Sequence, residues 1–419
     1  MTSQPRPRTA AGDSNKDSVR GYEEFVAIHE VAARFYREQL AASWAPGYLA
    51  GRGFSPAVQQ HWHAGYAPAG RQALTRHLRA AGYRDALIVA AGLARRSRYG
   101  ELSDVFRDRV MFPIRTPRGA IVAFIGRAGE HAAAGVPRYL NSPATVLYDK
   151  GQALFGLREA RPALAQGAVP VIVEGPLDVI AVACCGHGDY APVAPCGTAL
   201  TARQVTALNQ VTNLGATGVL AAFDSDEAGQ RAAVRAYPLL RPHTDQINTV
   251  TLPPGQDPAQ VLRERGPGVL AGMLASHVVP LADLVIDAQV AGWEPGLRFA
   301  EGRIAALRAV APVIAGLPPR DVPRQVARLA GRLDLDHPAV TEAVADKIAD
   351  VIQARPRPGL ARSRQGELAG LWPAAVRASA QDCPRRPFLP RAEPATAPAA
   401  QGTPGGGGRR LLGGSRVAG

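Results

Sequence analysis

Between positions 152 and 252 the chain alternates short, nearly continuous apolar runs with stretches whose apolar residues recur at helical spacing. Val171-Ile172-Val173 and Val219-Leu220-Ala221-Ala222-Phe223 lack the every-other-residue polarity of a half-buried strand, so each predicts a strand covered on both faces. The whole pattern predicts helix 152–165, strand 169–174, helix 177–186, strand 190–195, helix 201–209, strand 217–224, helix 227–240 and strand 246–252. Strands and helices in that order give a mostly parallel sheet with helices on its faces, because parallel neighbours need a crossover between them. Gln256-Asp257-Pro258 opens a further helix, with Asp257 as cap and Pro258 in the first turn, and helical spacing runs on to about residue 353.

Upstream the period differs. Phe25, Ile28, Val31, Ala32, Phe35, Tyr36 and Leu40 lie on one helical face, and short helices are predicted over 56–62, 72–81 and 84–91. Val110–Arg115, the turn Thr116–Gly119 and Ala120–Gly126 predict a β-hairpin, with Arg109, Arg115, Arg118 and Arg127 about its ends. Arg138 to Pro143 predicts a loop rich in phosphate-capable donors that leads towards Lys150. The fold class is α/β: a mixed α+β basic subdomain over 21–150, a parallel-sheet domain over 151–265 and a helical segment over 266–353. Segments 1–20 and 354–419, where Pro, Arg, Ser and Gly displace apolar residues, are expected to be disordered.

Composition narrows the class. At 419 residues and 46% hydrophobic content the chain can bury two or three cores. No apolar stretch approaches the roughly 18 residues of a membrane span, and the first twenty residues have no apolar centre, which predicts a cytoplasmic protein. The four cysteines, at 184, 185, 196 and 383, form no C-x-x-C pair, so neither a disulfide scaffold nor a zinc site is expected. Cys184-Cys185-Gly186-His187 reads as helix-packing thiols rather than metal ligands, and His61-Trp62-His63 as a helix end or loop. The net charge is +13, but eleven arginines against Glu367, Asp382 and Glu393 place +8 of it in residues 355–419 and +2 in residues 1–20, leaving +3 for the body. Such a tail either attracts nucleic acid in a salt-sensitive way or reflects biased composition, and the sequence leaves both open. Only three lysines stand against 45 arginines, so Lys150 invites the question of whether a compact ammonium is needed there.

The candidate chemistry sits where the apolar runs end. Glu174, Asp224 and Asp226 fall at the carboxyl ends of predicted parallel strands, where open α/β sheets form their ligand crevice. Convergent carboxylates with nothing to neutralise them want a cation. If strand geometry persisted, Asp224 and Asp226 would leave the sheet on one face, and hard oxygen donors without His or Cys suit Mg²⁺ or Mn²⁺. Asp178 stands one helical turn after Glu174 and is a candidate supporting or second-metal ligand.

Glu174-Gly175-Pro176-Leu177-Asp178, Cys196-Gly197-Thr198-Ala199-Leu200 and Asp224-Ser225-Asp226-Glu227-Ala228-Gly229 resemble the three signature segments of the TOPRIM domain of bacterial primases, topoisomerases and some nucleases. The flanks F-R-D-R-V-M-F-P-I-R from Phe106, P-R-Y-L-N-S-P from Pro137, Y-D-K-G-Q-A-L-F-G from Tyr148, Y-L-A-G-R-G from Tyr48 and L-P-P-G-Q-D-P from Leu252 resemble the DnaG-type primase in sequence and order, from about residue 30 to 350. The resemblance implies an RNA polymerase core that primes synthesis on single-stranded DNA. It implies Glu174, Asp224 and Asp226 as metal ligands with Asp178 and Asp257 in support. A basic ridge of Arg52, Arg109, Arg127, Arg138, Asn141 and Lys150 would grip template, RNA primer and NTP. The chain departs from the family pattern at Pro176, usually an aromatic, at Ser225, usually Gly, and at Ala259, commonly Asp. It also lacks the Cys/His set of the family's N-terminal zinc-binding domain, which implies template recognition by a separate protein or an accessory role, with a replicative helicase as a further partner. Two other readings stand beside this one: a TOPRIM nuclease using Glu174 as general base, and a degenerate, non-catalytic TOPRIM protein that binds DNA.

Overall fold

The computed structural model describes residues 11–185, 188–197 and 199–354; the predicted disorder of 354–419 and of 1–10 concerns positions almost wholly outside these. The first helix, Ala11–Leu40, begins within the segment expected to be disordered. Among the described residues the strands in chain order are β1 Gly65–Ala67, β2 Ala94–Arg96, β3 Leu102–Asp104, β4 Arg109–Arg115, β5 Ile121–Ala128, β6 Tyr139–Asn141, β7 Leu154–Phe155, β8 Val169–Ile172, β9 Tyr190–Pro195, β10 Val219–Ala221, β11 Ile247–Val250 and β12 Val278–Pro280.

The expected hairpin is β4 and β5, paired antiparallel from Arg109 opposite Ala128 to Arg115 opposite Ile121. It forms the centre of a four-stranded sheet in the order β1-β4-β5-β6. Both strands are buried along almost their whole length, because each face of the sheet is covered. Met111, Ile121 and Phe124 pack with Ile28, Ala32, Phe35 and Tyr36 of the first helix, while Val110, Phe112, Ile114 and Val122 pack the other way. That two-sided burial explains why the hairpin sequence runs apolar without alternation. Tyr139–Asn141, expected as loop, is instead a strand: its residues pair with Arg127, Gly126 and Ile125 of β5.

The second sheet has the order β12-β11-β10-β8-β9-β7. Its four central strands are parallel, as the alternating pattern requires, and β12 and β7 close its edges antiparallel. Both edge strands lie where helix was expected. The 152–165 segment divides into β7 and a helix from Leu157, with Gly156 between them at φ +83°, where a Cβ would meet Val179 Cγ1 at 2.7 Å. Trp62, of the sequence expected to end a helix, follows helix Pro56–His61 and stacks on Phe155 of β7. In helix Pro176–Cys185 every residue from Pro176 to Val182 is buried, Asp178 among them. Burial pushes the Cys184 and Cys185 thiols up, to about 11 and about 12, and Cys185 donates to the Val182 carbonyl, in keeping with packing thiols.

One apolar cluster joins the sheets: Phe112, Ile114 and Val122 of the first share it with Val171 of β8, Val173 just after it, and Leu177 and Val179 of the helix that follows. Close-packed interiors transmit position, so the loops at the adjoining edges of both sheets are held at fixed spacing. Residues 281–354 form helices Leu281–Ala291, Ala300–Ala315, Val322–Leu333 and His337–Ala354, with their own apolar core. Among the described residues no helix is long and apolar enough to cross a membrane.

Candidate active site

The carboxylates leave from adjacent strands. Leu220 and Ala221 of β10 stand in register with Val171 and Ile172 of β8, and the Ala222 amide continues the ladder by donating to the Ile172 carbonyl. Glu174 and Asp224 therefore emerge side by side, and Glu174 Oε1 accepts the Asp224 amide at 3.2 Å. Asp178 is spent on two backbone amides, Gly175 N and Ala259 N, both at 3.2 Å, so it ties the turn after β8 to the helix after β11. Asp257 caps that helix, Pro258–Arg265, through the Gln260 amide. Gly229 is required where it stands: a Cβ there would come within 2.0 Å of the Asp224 carbonyl oxygen.

Asp226 departs from the expected geometry. Strand β10 ends at Ala221, five residues earlier, so the two-residue alternation no longer governs Asp226. Its carboxylate turns back to accept the Gly229 amide at 2.8 Å and caps helix Glu227–Leu240.

A cleft of about 210 Å³ is lined by Glu174, Gly175, Leu177, Asp178, Asp224, Asp257 and Ala259 on one side and by Arg52, Arg127, Arg138 and Tyr139 on the other. Asp224 Oδ1 is buried there without a hydrogen-bond partner. Burial, then the charges of Glu174, Asp257 and Asp226, push the Asp224 carboxyl up to about 7, against a smaller opposing pull from Arg138. Burial also raises Glu174, with Asp226 and Asp257 adding to it, and holds Asp178 well above the usual carboxylate range. Among the described residues no three His, Cys, Asp or Glu side chains converge closely enough to hold a metal ion. The donor set nevertheless fits a hydrated hard cation, because Mg²⁺ keeps several waters and takes one or two carboxylates alongside substrate phosphates. The orphaned Asp224 oxygen is the clearest opening for it.

The six basic-ridge candidates separate into two groups. Arg52, Arg127 and Arg138 line the cleft. Arg138 is exposed. Arg52 pairs with Glu130 at 3.0 Å and lies over the Tyr48 ring. Arg127 is buried between the Tyr48 and Tyr139 rings, 5.7 and 4.9 Å from their centroids, and bonds the Tyr48 hydroxyl. Arg109, Asn141 and Lys150 do not line the cleft. The Arg109 guanidinium is buried and donates to the Gly126 and Pro137 carbonyls, which makes it a strut for the strand that follows. Asn141 sits within β6 with a buried, unpartnered Oδ1, and Lys150 is exposed beyond it. Sequence reasoning passed over Tyr48 and Tyr139, although each stands inside a quoted motif, Y-L-A-G-R-G and P-R-Y-L-N-S-P; an aromatic within a few residues of a candidate arginine was the available signal.

Comparison with known proteins agrees with this architecture. Residues 35–161 match the family described as DNA primase catalytic core, N-terminal domain, and residues 171–262 match the Toprim-like family. The body is thus a primase-type catalytic core built on a Toprim sheet. A DNA primase of Streptomyces coelicolor is 35% identical over 360 residues, covering 84% of this chain and 55% of that protein. A DNA primase of Pseudomonas putida is 36% identical over 308 residues, covering 71% and 45%. The chain spans about half the length of the curated relatives it matches. The crystal structure of the RNA polymerase domain of Mycobacterium tuberculosis primase DnaG is similar with a TM-score of 0.64 and 32% identity, over 74% of this chain and 98% of that one. A DnaG primase catalytic domain bound to ssDNA is similar at 0.63 and 30%, over 77% and 99%. The chain belongs to the DnaG-type DNA primase family.

Proposed function

We propose that this chain is a DNA-directed RNA polymerase that makes short RNA primers on single-stranded DNA by divalent-metal-assisted nucleotidyl transfer, acting in cytoplasmic DNA replication. The observation that carries the reading is the buried, unpartnered Asp224 oxygen beside Glu174, facing Arg52, Arg127 and Arg138 across one cleft. Asp224 with one neighbouring carboxylate, Glu174 or Asp257, would hold a hydrated Mg²⁺ or Mn²⁺, while Asp178 positions the backbone on both sides and Asp226 adds negative potential from its cap. When bound, the cation neutralises charge on the transferring phosphoryl group and activates the attacking 3′-hydroxyl. The arginine wall binds phosphates of template, primer and NTP, with Arg127 held at fixed height by its two tyrosines. Without a cation, burial and then repulsion from Glu174, Asp257 and Asp226 hold the Asp224 carboxyl up at about 7.

The test incubates purified protein with single-stranded DNA, labelled NTPs and Mg²⁺ or Mn²⁺, alone and with a candidate template-recognition protein or replicative helicase. Template-dependent oligoribonucleotides that disappear in Asp224→Asn support the reading. DNA cleavage, or DNA binding with no polymer under any of these conditions, overturns it in favour of a nuclease or a non-catalytic binder.

A further inference from the structure

The carboxylates come from loops at the ends of three neighbouring strands, β8, β10 and β11, and backbone hydrogen bonds stitch those loops together in pairs. Glu174 joins the β8 and β10 loops by accepting the Asp224 amide. Asp178 joins the β8 loop to the helix after β11 by accepting the Ala259 amide. The third stitch, between the β10 and β11 loops, is made by Ser225. Its hydroxyl donates to the Pro253 carbonyl and accepts the Gln256 amide at 3.1 Å, and its own amide faces the Gln256 carbonyl at 3.3 Å. Gln256 is anchored in turn by Glu264, 2.7 Å from its Nε2.

Two of these stitches use carboxylates whose charge changes with protonation or with a bound cation. The Ser225 stitch is neutral and is unaffected by either. It also lies between the two aspartates that most need holding: Asp224 immediately precedes Ser225, and Asp257 immediately follows Gln256. Asp224 and Asp257 both line the cleft, and like charges on the two loops repel when no cation lies between them. From the other side, Gly229 packs so tightly under the Asp224 backbone that the segment cannot retreat. Asp224 is therefore fixed between a steric stop and a hydrogen-bonded strut.

We infer that Ser225 is a positioning residue of the carboxylate site, and that its hydroxyl holds the Asp224 loop against the Asp257 loop so that both face one cation. The inference rests on the cation reading above. Loss of the hydroxyl removes its bonds to the Pro253 carbonyl and the Gln256 amide, which keep each other at 3.1 Å, and leaves the Ser225 amide on the Gln256 carbonyl at 3.3 Å as the remaining stitch, so the loops are joined less tightly. Part of the cation's binding energy is then used to draw them together again, which appears as weaker apparent affinity.

The experiment follows the melting temperature of the full chain against increasing Mg²⁺ and, separately, Mn²⁺, with no nucleotide or DNA, for wild type, Ser225→Ala, Ser225→Gly and Ser225→Thr. One neutral hydrogen bond corresponds to roughly a 2- to 10-fold effect, so the half-saturating cation concentration should rise by about that factor in the Ala and Gly variants. The Thr variant, which keeps the hydroxyl, should stay within about 2-fold of wild type. A Ser225→Ala chain that melts lower in EDTA yet titrates with cation as wild type does would show a purely structural bond and overturn the inference alone. A wild-type chain whose melting ignores both cations would overturn the cation site and the Ser225 role together.

Discussion

Replacing Asp224 by asparagine should make the cation-free protein more stable at alkaline pH, although it removes the group on which the proposed chemistry most depends. Burial and the neighbouring Glu174, Asp257 and Asp226 raise the carboxyl from 3.8 to about 7 in the folded chain. Between those values the folded chain holds a proton that the unfolded chain has released, so stability falls as pH rises through that window. The full shift at about 1.4 kcal/mol per pH unit would come to about 4 kcal/mol. Asp224 is only partly enclosed and water screens its neighbours, so about 1–2 kcal/mol is the realistic size. Urea melts in EDTA at pH 5.5 and pH 8.5 should show wild type losing stability across the interval and Asp224→Asn losing less by about 0.5–1 kcal/mol, since about half of the 3.8-to-7 window lies above pH 5.5. Added Mg²⁺ should recover the loss in wild type and not in the variant. If the variant is the less stable protein at pH 8.5 in EDTA, or has the wild-type pH slope, then Asp224 is not a destabilised carboxylate and the reasoning from its orphaned oxygen fails.

Gly229→Ala should destabilise the chain by about 1–3 kcal/mol in urea melts and weaken the cation response with it, because the new methyl group collides with the Asp224 carbonyl. Arg138→Ala should leave melting unchanged, weaken single-stranded DNA binding in fluorescence anisotropy and lower the slope of log affinity against log salt by roughly 0.7. Arg109→Met should do the reverse, costing about 1–3 kcal/mol of stability through the Gly126 and Pro137 carbonyls while leaving that slope in place.

The contrast between Arg109 and Arg138 shows where the sequence was legible. Both stand in motifs that resemble the family, and the sequence offers the same reason to assign them to one ridge. One is buried under the β5–β6 connection and the other faces the cleft, a difference set by how β6 folds back onto β5. Asp224 and Asp226 divide in the same way. Both were visible as carboxylates at the end of an apolar run, but the strand stops at Ala221, and the following turn leaves Asp224 in the cleft and gives Asp226 to a helix cap.

Local pattern therefore determined the alternation of strands and helices, the hairpin, and the position of Glu174 and Asp224 at strand ends, because periodicity and burial on both faces are written into neighbouring residues. Residues far apart in the chain set the rest. The edge strands β7 and β12, the Arg127–Tyr48 contact and the Ser225 strut depend on partners about 30 to 80 residues away, and only packing the two sheets around one apolar core brings those partners together. Hydrogen bonding and desolvation act over a few ångströms, so a side chain's role as strut, cap or open donor is decided by which backbone groups the finished fold places beside it.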